Sequence, residues 1–184
     1  TNVMLLPGLE IRTPDDIAIQ SYDLTGKFAP GVLTLRAENN LTVSGALVDQ
    51  STTNQNSTGQ EGLNSWSFNL VAGADANSAD LLSTIAGAGN FTLDAGRVIY
   101  TDAARIQLAA GGDVNIQAPS TAYHMTPNYV PYSVGTYNGR IEGHVQGNLN
   151  LNGGVIQSAL GDIKLQIGGD LVIANTNTSM GAVR

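Results

Sequence analysis

Acidic residues stand at several places in this sequence where they could do chemistry. Asp15 and Asp16 are adjacent after Pro14, and Asp113, Asp162 and Asp170 each follow a glycine just ahead of an apolar stretch. Paired carboxylates cleave glycosidic bonds when an acid and a base flank one sugar linkage. No such partner accompanies these acids, and an Asx residue in a bend accepts N–H groups of its own turn. Asp113, Asp162 and Asp170 are therefore read as turn residues, and Asp15 and Asp16 as a solvated pair. His124 and His144 do not form a short metal-binding pair, and no carboxylate stands at a ligand spacing from either. Gly111-Gly112-Asp113 and Gly168-Gly169-Asp170 lack the further glycine of calcium-loaded nonapeptide repeats. Nucleophile-elbow serine, phosphate-cradling glycine loop and dinucleotide fingerprint are all missing. No catalytic residue, no metal site and no cofactor is expected, and a polysaccharide-acting enzyme is the weakest of the functional readings.

The best candidates for binding are aromatic. Tyr123, Tyr129, Tyr132 and Tyr137 gather between residues 119 and 140. A tyrosine ring offers a flat apolar face with a hydroxyl handle, suited to stacking on a sugar or anchoring a protein receptor. The same rings can instead fold back and cover an outer face of the molecule, and both readings stay open.

Short strands of the form apolar, any, apolar must carry these side chains. Leu9 and Ile11, Ile17 and Ile19, Leu33 and Leu35, and Leu41 and Val43 begin the series. Ile106 and Leu108, Val114 and Ile116, Leu149 and Leu151, Ile163 and Leu165, and Leu171 and Ile173 continue it. Such alternation turns two side chains of each strand to one face. Leu9 to Ile17, Leu33 to Leu41, Ile106 to Val114 and Ile163 to Leu171 are each eight residues apart. Gly112-Asp113, Gly147-Asn148, Gly161-Asp162 and Gly169-Asp170 mark sharp bends ahead of strands. The larger period is 24 residues from Leu9 to Leu33 and 22 from Leu149 to Leu171. That period predicts an all-β, right-handed parallel β-helix, a β-solenoid of roughly eight coils and a rod on the order of 40 Å long. Residues 1–184 form one domain with two loop excursions, a polar one near 48–63 and the tyrosine-rich one near 119–140, where Pro119, Pro127 and Pro131 would break a central strand. Between them Trp66, Phe68 and Leu70 alternate as a strand, and Leu81, Leu82 and Ile85 fit one helical turn. Asn and Thr stacked coil upon coil would form hydrogen-bonded ladders.

Charged residues make up 12% of the chain, which suits a solenoid better than a helix bundle. A net charge of −7, with the eight Lys and Arg scattered singly, offers no basic stripe, so no nucleic acid is expected as a partner. The absence of cysteine removes disulfides and thiolate chemistry. Opening on Thr1, the chain reads as a segment of something longer. Unpaired strand edges at the ends of such a stack would favour end-to-end self-association.

The run Gly89 to Ile116, GNFTLDAGRVIYTDAARIQLAAGGDVNI, resembles the repeats of filamentous haemagglutinin-like exoproteins of the two-partner secretion type. Gly31 to Leu47, Trp66 to Asp75 and Gly161 to Ile173 resemble the same family. The resemblance implies export by an outer-membrane partner transporter and an extracellular or bacterial cell-surface location. It also implies a role as the structural shaft of an adhesin-like or toxin-bearing protein that assembles into fibres. The alternative is a module that binds a host glycan or protein receptor through the tyrosine-rich segment.

Overall fold

The computed structural model describes residues 8–24, 30–49, 65–120, 124–125, 130–174 and 182–183. Their strands fall into coils of three. The first coil holds β1 (Gly8–Thr13), β2 (Ile17–Ile19) and β3 (Tyr22–Asp23), and the second β4 (Val32–Ala37), β5 (Leu41–Val43) and β6 (Ala46–Asp49). The third holds β7 (Ser67–Ala72), β8 (Phe91–Leu93) and β9 (Val98–Thr101). In the fourth, β10 (Ile106–Ala110) and β11 (Val114–Gln117) are followed by a small hairpin, β12 (His124–Met125) and β13 (Val130–Pro131), before β14 (Val134–Thr136). The fifth holds β15 (Ile141–Val145), β16 (Leu149–Asn152) and β17 (Val155–Ser158), and the sixth β18 (Ile163–Ile167), β19 (Leu171–Ala174) and β20 (Ala182–Val183).

Corresponding strands of successive coils pair in parallel and build three sheets of six strands. The first sheet runs β1-β4-β7-β10-β15-β18, the second β2-β5-β8-β11-β16-β19 and the third β3-β6-β9-β14-β17-β20. The fold is a parallel β-helix, and its stack is about 30 Å high at the usual strand spacing. Register explains why it holds. Leu9, Leu33, Phe68, Ile106, Ile141 and Ile163 form one column, and Ile17, Leu41, Phe91, Val114, Leu149 and Leu171 another. In the middle coils these side chains are fully buried, among them Phe68, Phe91, Ile106 and Ile141 at 0% exposure. Each such burial stabilises by about 1.5–3 kcal/mol.

Among the described residues six coils replace the eight expected, because the repeat is longer than the bare period wherever the chain leaves it. Leu9 to Leu33 takes 24 residues and Ile141 to Ile163 takes 22, but Leu33 to Phe68 takes 35, Phe68 to Ile106 takes 38 and Ile106 to Ile141 takes 35. The segment from 50 to 64 lies outside the described residues. The tyrosine-rich excursion leaves after β11 and rejoins the third sheet at Val134. A third departure, residues 73–90 between β7 and β8, was not expected from the sequence.

That third segment contains turns and no helix, so Leu81, Leu82 and Ile85 do not form the helical turn expected of them. Local side chains capture its backbone instead. Asn77 N–H donates to Asp75 Oδ1, Asp80 N–H to Ser78 Oγ and Leu82 N–H to Asp80 Oδ1, which are alternatives to helical bonding. The segment lies over the outer face of the first sheet, where Leu82 packs on Val71, Ala74 and Ala109. Arg12 and Arg36 donate to the carbonyls of Ala76 and Asp75 at 2.8 and 2.9 Å and fasten it there.

Candidate functional site

The acids of the glycine-led bends turn out to serve the stack. Asp16 Oδ1 accepts Asn40 N–H at 2.9 Å, and Asn40 Oδ1 accepts Asn90 N–H at 2.9 Å. Asn90 Oδ1 accepts Asp113 N–H at 2.7 Å, Asp113 Oδ1 accepts Asn148 N–H at 2.7 Å, and Asn148 Oδ1 accepts Asp170 N–H at 2.8 Å. One Asx residue per coil thus forms an unbroken ladder through all six coils at the bend between the first and second sheets. Asp113 was expected to satisfy its own turn; it satisfies the next coil's instead. Asp162 stands apart, at the entry to the first sheet, where its carbonyl accepts Ile141 N–H. Asn and Thr pairs add to the ladders as anticipated: Asn69 donates to Thr34 Oγ1 at 3.1 Å and Asn150 to Asn115 Oδ1 at 2.9 Å.

Tyr123 and Tyr129 lie outside the described residues. Tyr132 is buried on the third sheet, with its ring centroid 5.2 Å from that of Tyr100 and beside Val98 and Val155. Tyr137 is half-buried, and its N–H donates to the Asp102 carbonyl. The two described rings therefore do not stand together on an open face. Near them sits a polar cluster that the sequence did not signal. Tyr100 donates to Asp102 Oδ1 at 2.7 Å, and burial followed by this bond pushes its phenol pKa far up, so it stays a donor. Asp49, 4% exposed, accepts Trp66 N–H and closes the neck of the first excursion. Burial pushes its pKa up to about 6, opposed by that hydrogen bond and assisted by the charges of Asp102 and Asp23.

A cleft of about 440 Å³ opens on the outer face of the first sheet, where the 73–90 segment ends. Its floor carries Gln107, Glu142 and Lys164 in one column and Ala109, His144 and Gln166 in the next. Asp80 and Thr84 form its wall. Gln107 donates to Glu142 at 2.8 Å, His144 Nδ1 lies 3.2 Å from Gln166 Oε1, and Gln146 holds the wall through Thr84. Such a row of amides and charges, rising one strand spacing per rung, can hydrogen-bond a polar ligand. His144 is exposed, and sequence reading, which considered it only as a metal ligand, missed its neighbours; the alternation Glu142, His144 on one strand and Lys164, Gln166 on another was the available signal. The side chain of His124 falls outside the described residues, and among those described no three His, Asp or Glu gather as metal ligands.

Three parallel sheets wound in sequence define the chain as a parallel β-helix protein. Comparison with family models, with characterised proteins and with solved structures yields no match.

Proposed function

We propose that this chain is a structural shaft, a stretch of β-helix from an extracellular or cell-surface exoprotein of the filamentous haemagglutinin-like kind, exported through an outer-membrane partner transporter and without catalytic duty. The observation that carries the reading is the continuity of the stack: inward aliphatic columns, parallel sheets and the Asx ladder all run from the first coil to the sixth. Immunogold labelling of the source cells with antibody to this chain should decorate filaments outside the cell. Label confined to the cell interior would overturn it.

A second reading, a glycan- or receptor-binding module, is supported by the polar cleft over β10, β15 and β18 more than by the tyrosine segment. Binding to a glycan array that disappears in Glu142→Ala and Lys164→Ala but survives Tyr132→Phe would favour it. Retention in both cleft variants would remove it.

A further inference from the structure

The cleft over β10, β15 and β18 is shaped by bonds inside the protein. Its wall is the 73–90 segment, seated by Leu82 on Val71, Ala74 and Ala109. Gln146 Nε2 fixes that wall by donating to the carbonyl and the Oγ1 of Thr84 at 3.0 and 2.7 Å. On the floor Gln107 Nε2 donates to Glu142 Oε2 at 2.8 Å, and His144 Nδ1 lies 3.2 Å from Gln166 Oε1. Each of these bonds uses one end of a side chain and leaves the other over. Gln107 Oε1, Gln146 Oε1, Gln166 Nε2 and His144 Nε2 have no partner among the described residues, and neither has the Lys164 ammonium. Amides already tied at one end lose little further freedom when a ligand arrives.

The chemistry of the lining narrows what that ligand is. The free ends alternate between acceptors and donors, and a sugar hydroxyl is both at once. No aromatic ring lines the cleft, so nothing in it stacks on a nucleobase, and its apolar lining is confined to Leu82, Leu108 and Ala109. Two carboxylates, Asp80 and Glu142, stand against the single ammonium of Lys164 on a chain of net charge −7, which disfavours an anion. Strands β10 and β15 are paired along both edges, so a peptide cannot add to them as a further strand. The surface also has length. Gln107, Glu142 and Lys164 climb two rungs, about 10 Å at the usual strand spacing. A second depression shares His144, Gln146 and Gln166 with the cleft and carries it on along the sheet face.

We infer that the cleft binds an uncharged oligosaccharide, whose hydroxyls take hydrogen bonds from Gln166 and Lys164 and give them to the Gln107 and Gln146 carbonyls. Glu142 holds Gln107 in position, and Thr84 holds Gln146. The inference deepens the binding-module reading of this cleft and rests on it. It is compatible with the shaft reading, because the side chains that it uses point outward from the sheet and take no part in the inward columns.

A glycan array provides the test, with uncharged hexose and N-acetylhexosamine oligosaccharides printed beside sialylated, uronate-bearing and sulfated ones and probed with the 184-residue chain. Binding should be confined to the uncharged set and should survive raised salt, since it does not depend on long-range charge. Calorimetric titration with the free form of the best-bound oligosaccharide should then show Gln107→Ala, Gln166→Ala and Lys164→Ala each weaker by about tenfold. Tyr132→Phe should bind as wild type does. Gln166 and Lys164 are exposed, so their variants keep the fold, and matching circular dichroism spectra check that the loss belongs to the cleft. Uncharged-glycan binding that none of the three substitutions weakens overturns the inference. Binding restricted to acidic glycans and lost in Lys164→Ala also overturns it, but leaves the binding-module reading standing. A folded chain that binds no glycan on the array sinks the inference and the glycan reading together.

Discussion

Glycine ahead of an Asx residue has a more specific cause here than ease of turning. A Cβ on Gly112 would meet Asn90 Oδ1, one on Gly147 would meet Asp113 Oδ1, and one on Gly169 would meet Asn148 Oδ1. The previous coil's ladder oxygen occupies the space, and none of these three glycines has a positive φ. Asp113→Ala should therefore lose about 1 kcal/mol by removing an acceptor from Asn148 N–H, while Asp113→Asn should be nearly neutral; urea titration decides. Asp49 gives a prediction in pH. Its folded pKa of about 6 lies above the ordinary 3.8, so the folded state holds more protons between those values. Stability from this group is greatest at low pH, falls as pH rises through about 4 to 6, and is level above that, a change of at most about 3 kcal/mol. Asp49→Asn should lack that slope when its melting is compared with wild type across the same range.

At the scale of the strand, burial depends on which coil a residue occupies. Ile106, in the fourth coil, is 0% exposed, while Ile163, in the same column at the last coil, is half-buried. Ile106→Asp should place an unpaired charge in the dry interior and destabilise by several kcal/mol, and Leu149→Asp likewise. Ile163→Asp should be milder, since its side chain is only half-buried. Chemical denaturation of the three variants side by side checks the order. The segment 73–90 shows the opposite balance, for it carries few apolar contacts and is fastened by Arg12, Arg36 and Gln146.

For the whole molecule, the strands of each coil pair only with those of its neighbours, so stability is close to a sum of coil terms and junction terms, and among the described residues only the 73–90 segment ties coils further apart, through Arg12 and Gln146. Hydrogen exchange should be slowest in β7, β10 and β15, which are covered above and below, and faster in β1 and β18, which have one neighbour each. Uniform protection from the first of these coils to the last would contradict that picture.

The pairs Leu9 with Ile11 and Ile163 with Leu165, with the eight-residue step to the next strand, declared the sheets and their parallel order, because the inward period of two and the bend glycines are local properties. Uninterrupted coils of 22 and 24 residues were legible for the same reason. The number of coils was not, since segments of unlike length enter between Asp49 and Trp66, between Ala72 and Phe91 and between Gln117 and Val134, and length alone does not say which residues return to the stack. Nor could the sequence show that Asp113 reaches Asn148, thirty-five positions on, or that Glu142, His144 and Lys164 line one cleft. Those neighbours are created by winding: residues far apart along the chain meet only once one coil lies on another, and that juxtaposition belongs to the tertiary structure.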